Sequence, residues 1–87
     1  MTRFGDRARV VPDCVGIRRR RRERGWSKRD LVRSICDAQE RATGKRIAYN
    51  LNLLQHVEEE NEAVEYATVV LVAAGLDCDP VELVLGD

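Results

Sequence analysis

The chain has 87 residues, 44% of them apolar and only 5% aromatic, with 15 basic and 15 acidic side chains and no net charge. That length gives one domain near the lower limit for a core without metal or disulfide support, and it excludes an enzyme cleft of ordinary size. The zero charge hides a separation: residues 1–46 hold all 15 bases and six acids, a net +9, while residues 47–87 hold nine acids and no base, a net −9.

One half therefore suits a polyanion and the other repels it, unless the two halves neutralise each other within the fold or between subunits. Cys14, Cys36 and Cys78 are odd in number, far apart and never in a C-x-x-C pair. They support neither a disulfide framework nor a zinc site, and a reduced, cytoplasmic setting is expected. No apolar segment follows the first residues, so no signal peptide is expected. The longest apolar run, 67–76, is about half of the roughly 20 residues a membrane span needs.

In chain order, residues 1–12 show no apolar period and read as a basic N-terminal arm carrying Arg3, Arg7 and Arg9, followed by one helical domain over 13–87. Asp13 is placed to cap a first helix that runs to about Arg24 and stops at Gly25. The five arginines 18–22 cover more than one turn and point nearly all round it. Cys14, Ile17 and the stem of Arg21 share the core-facing side. Trp26 reads as a hydrophobic plug between helices.

Ser27-x-x-Asp30 is a capping-box start, after which Leu31, Ile35 and Ala38 form a buried stripe. Lys28, Arg29 and Arg33 lie on the outward side near that helix's N-terminus, where free N–H groups and cations can act on one phosphate. Gly44 is the expected stop, and the connector beyond carries Lys45 and Arg46. In the next helix Leu51, Leu54 and Val57 supply the buried side. Asn50, Asn52, Gln55 and His56 are left as polar groups, with Asn50 also fit to be a cap. Asn and Gln can read adenine in the major groove.

Glu58 to Glu62 read as a solvated acidic face, with Asn61 capping a fourth helix from Glu62 to Ala74. That helix is apolar almost all round and needs a second partner besides the core. Asp79 and Pro80 open a short fifth helix whose Val81, Val84 and Leu85 suit a dimer interface.

The stretch Ile17-Arg-Arg-Arg-Arg-Arg-Glu-Arg-Gly-Trp-Ser-Lys-Arg-Asp-Leu-Val-Arg-Ser-Ile35 resembles the first two helices of lambda-repressor/Cro-like (Xre-type) helix-turn-helix regulators. Leu54-Gln-His-Val-Glu58 is similar to the end of that family's recognition helix. Ala73-Ala-Gly-Leu-Asp-Cys-Asp-Pro-Val-Glu-Leu83 is similar to its fourth helix, Gly stop and short fifth helix. The chain departs from the family in an enlarged connector, about a dozen residues from Asp37 to roughly Ala48, and in the acidic run after the third helix.

The resemblance implies an all-α fold of four or five helices, and a dimeric, repressor-like regulator that binds specific sequences of double-stranded DNA. Arg18, Arg19, Arg22, Lys28, Arg29, Arg33, Lys45 and Arg46 would hold phosphates, and Asn50, Asn52, Gln55 and His56 would contact bases. No catalytic motif, cofactor motif or metal-ligand spacing stands out. The competing reading is a non-enzymatic protein-interaction module. It would use the acidic C-terminal half for a basic partner, or join the basic half of one copy to the acidic half of another.

Overall fold

The computed structural model describes residues 8–60 and 62–85. Arg3, Arg7 and the expected cap Asn61 lie outside them. The described chain is mostly helical, with four α-helices and one small two-stranded sheet.

The helix punctuation follows local chemistry. Helix α1 spans Cys14–Glu23, and the Asp13 carboxylate accepts the Gly16 N–H at 3.0 Å. Gly25 after it has φ +71°, a conformation in which a Cβ is unfavourable. Helix α2 spans Lys28–Thr43 with a reciprocal capping box: Ser27 Oγ accepts the Asp30 N–H at 3.1 Å, and the Asp30 carboxylate accepts the Ser27 N–H at 2.9 Å. It ends at Gly44, φ +77°. Helix α3 spans Leu51–Glu59, capped by Asn50, whose side-chain oxygen accepts the Leu53 N–H at 3.0 Å.

Four features differ from the sequence reading. First, residues 8–12 belong to the fold. Strand β1 (Arg9–Val10) pairs antiparallel with β2 (Val64–Glu65), and Pro12 bridges to Val84 on the other side. Val10 and Pro12 turn inward, a period-two pattern too short to stand out in the sequence. Second, α4 spans Tyr66–Leu76 and starts later than expected, because Val64 and Glu65 are engaged in the sheet and the Tyr66 N–H donates to Ala8 O at 2.8 Å.

Third, Gly75 does not stop α4. It lies inside the helix against α2, where a Cβ would stand 2.5 Å from Ile35 Cγ1 and 3.0 Å from Ile35 N. The helix ends at Leu76, and Asp77, two residues after Gly75, is its left-handed cap with φ 55°. The Arg24 guanidinium donates to the exposed end of the helix, at Leu76 O, 2.6 Å. Fourth, Pro80–Leu83 is a single 3₁₀ turn, whose Asp79 cap accepts the Val81 N–H at 3.0 Å.

Helices α2 and α4 form the main seam, tied by Ser34 Oγ donating to Gly75 O at 2.7 Å. Helix α3 packs on α1 and α2, and the 3₁₀ turn packs on α4 and α1. Ile17, Leu31, Ile35, Leu54, Val57, Val69, Val72, Leu76 and Leu83 make the core, with Trp26 half-buried at its rim. Among the described residues no helix is long and apolar enough to cross a membrane.

Candidate nucleic-acid interface

The outer face of α3 follows from its inner one. Leu54 and Val57 are buried, so helical geometry turns Asn52, Leu53 and Gln55 to solvent. The side chains of Asn52 and Gln55 make no hydrogen bond with any described residue. The α2 side of this face is basic. Arg29, Arg33 and Arg46 share one surface hollow with Val32, Cys36 and Leu51, the first residue of α3.

At the other end of α3, Lys28 Nζ lies 2.8 Å from Glu59 Oε2 and Arg18 Nη1 lies 3.6 Å from Glu59 Oε1. Arg22 lines a surface hollow together with Arg18. The Lys28 ammonium, hydrogen-bonded to Glu59, holds that carboxyl below the usual range, with the fields of Lys28, Arg18 and Arg22 adding to it.

The eight expected phosphate-binding cations thus fall into two groups. Arg19, Arg22, Arg29, Arg33 and Lys45 have side chains without an ion pair among the described residues. Arg18, Lys28 and Arg46 are already engaged. Arg18 donates to Glu58 O and faces Glu59. Arg46 Nη1 lies 2.6 Å from Glu40 and 3.1 Å from Asp37, and these hydrogen bonds raise its pKa.

The four expected base-contacting residues also separate. Asn52 and Gln55 are exposed and unengaged, whereas Asn50 spends its carbonyl oxygen on the helix cap. His56 is turned to the acidic run: Nδ1 is 2.6 Å from Glu60 Oε1 and Nε2 is 3.9 Å from Glu62 Oε2. His56, Glu60 and Glu62 offer three donor atoms within 4.8 Å of one another, a cluster that sequence spacing did not reveal. The two carboxylates face opposite ring nitrogens.

The acidic run is not uniformly solvated. Glu58 is fully buried, and Arg21 grips it through Nε at 2.9 Å and Nη2 at 3.1 Å, while Arg21 Nη1 donates to Trp26 O at 2.9 Å. This fork ties α1, the α1–α2 turn and the end of α3 together. Its sequence signal was present: Glu58 stands four residues after Leu54 and next to Val57, on the inward side of α3.

More broadly, Arg18, Arg20, Arg21 and Lys28 pair with Glu59, Glu82, Glu58 and Glu59 respectively, so part of the charge separation is neutralised within the chain. Nearby, Tyr49 is buried with its hydroxyl unpaired among the described residues, and burial pushes its pKa up. No protein family, curated protein or solved structure matches the chain.

Proposed function

We propose that the chain is a sequence-specific double-stranded DNA-binding regulator of the helix-turn-helix type, with α2 and α3 as the two helices of that unit and an enlarged connector between them. One observation carries this reading. An exposed, uncharged and unengaged helix face, Asn52 with Gln55, lies between the Arg29–Arg33–Arg46 hollow and the Arg18–Arg22–Lys28 group.

Side-chain amides in that position can form bidentate bonds with adenine, exposed Leu53 can meet a thymine methyl, and the flanking cations can hold the backbone on either side. Asn52 and Gln55 are the principal base-reading residues of this reading. Asn50 and His56 contribute less because each is engaged inside the chain. The molecule acts as a repressor-like homodimer without catalysis, and exposed Val11, Val81 and Leu85 supply apolar surface for the second copy.

The test is titration of random and selected duplexes at several salt concentrations. Neutralising several phosphates predicts a log–log slope of about −0.9 per contact. Absence of binding to any duplex at low salt overturns the proposal. Asn52→Ala with Gln55→Ala is expected to lower discrimination by about 1–3 kcal/mol per lost base contact while leaving random-duplex binding nearly intact.

The protein-interaction reading is less favoured. Glu58 is buried on Arg21, and Glu59 and Glu82 are paired with cations of their own chain, which a basic partner would have to displace.

A further inference from the structure

A carboxylate beside a phosphate-binding face is repulsive, and Glu59 lies within a group of cations that the DNA-binding reading assigns to phosphates. It is not there to fill the core. Its side chain is 43% exposed, whereas that of neighbouring Glu58 is 0% exposed. The cations around it come from two other helices: Arg18 and Arg22 from α1 and Lys28 from the first turn of α2. A carboxylate and a phosphate present similar oxygen pairs to such groups, with the phosphate charge spread over more acceptors.

We propose that Arg18, Arg22 and Lys28 form an anion site for a backbone phosphate of the nucleic acid, and that Glu59 is its resident competitor. The inference rests on the DNA-binding reading for its occupant. Glu59 swings into water when a phosphate arrives, so contact at this end of α3 begins only after an internal ion pair is given up. Weak, non-specific encounters are thereby penalised. A duplex whose bases also engage Asn52 and Gln55 overcomes the competition. Exposure of the carboxylate makes the exchange feasible without opening the core.

Glu59→Gln removes the competing charge at nearly constant shape. Glu82→Gln is the control: it makes the same change in net charge but releases Arg20, which bridges α1 to the 3₁₀ turn. Each variant is titrated with a random duplex by fluorescence anisotropy across a salt series. Each is also titrated with inorganic phosphate alone, followed by NMR at the Arg18 and Lys28 signals.

The expected result for Glu59→Gln is random-duplex binding tighter by on the order of threefold to tenfold near 0.1 M salt, with a slope steeper by about 0.9 for each phosphate gained. Its Arg18 and Lys28 signals are expected to shift with phosphate more strongly than those of the wild type, and Glu82→Gln is expected to follow the wild type. Where the wild type binds duplex, binding by Glu59→Gln that is no tighter, or an equal gain in Glu82→Gln, overturns the inference and leaves the DNA-binding reading intact. If no protein binds any duplex but Glu59→Gln gains phosphate binding at Arg18 and Lys28, the anion site stands with free phosphate as its ligand and the DNA-binding reading fails.

Discussion

Glu58 and Glu59 are consecutive residues at the end of α3 and both carboxylates meet arginine, but they sit in different media. Glu58 is sealed from solvent and held by two nitrogens of Arg21, itself buried. Glu59 is open to water between Lys28 and Arg18. A helical step of about 100° separates the two side chains, enough to carry one into the core and leave the other on the surface. The inner pair fixes how α1 and α3 meet, because an unpaired charge there has no water to turn to. The outer pair is weakened by solvent and salt, which leaves it available for exchange with a ligand.

The largest expected effect comes from breaking the inner pair. Arg21→Met leaves Glu58 buried without its cation and is expected to lower unfolding free energy by about 3–5 kcal/mol in urea denaturation. Adding Glu58→Leu to Arg21→Met is expected to recover much of that loss, since well-packed apolar replacements for a buried pair are often neutral. A single variant that unfolds at the wild-type midpoint would remove the contrast between the two glutamates.

Next comes a steric counterpart at the other seam. Gly75→Ala forces a Cβ into Ile35 and is expected to destabilise by about 1–3 kcal/mol in the same assay. This places the cost of losing a close helix contact beside that of losing a buried charge pair.

The smallest effect on stability belongs to Glu59. Its pKa is lowered in the folded chain, so its contribution is present above the ordinary glutamate value of about 4.3 and fades as pH falls through the lower folded value. Asp30 behaves alike, because the Ser27 backbone N–H and hydroxyl favour its charged form. Thermal melts from pH 7 down to pH 3 should show stability falling in the acid range. Glu59→Gln should flatten that fall slightly, through a small loss near pH 7 that disappears in acid. A large loss of stability at neutral pH would mean that Glu59 is structural after all.

Much of the helical order was legible because its signals are local. Asp13, Ser27 with Asp30, Gly44 and Asn50 act within three or four residues of themselves, and each does so here. The separation of charge was equally plain. Helical period also set Arg21 apart from Arg22, and one is buried while the other is exposed. The carboxylate each arginine meets was not legible, since that depends on which helix packs beside it.

The sequence by itself determined the first two helices with their caps and stops, the capped start of the third, and a chain split into basic and acidic halves, because hydrogen bonds within a turn and side-chain periodicity need no distant partner. Tertiary structure decided the rest. It drew residues 8–12 into a sheet, pressed Gly75 against Ile35, and divided the cations between internal carboxylates and open surface. Apart from the local pairs of Arg46, each of those outcomes joins residues more than 30 positions apart in the chain, where only packing can bring them together.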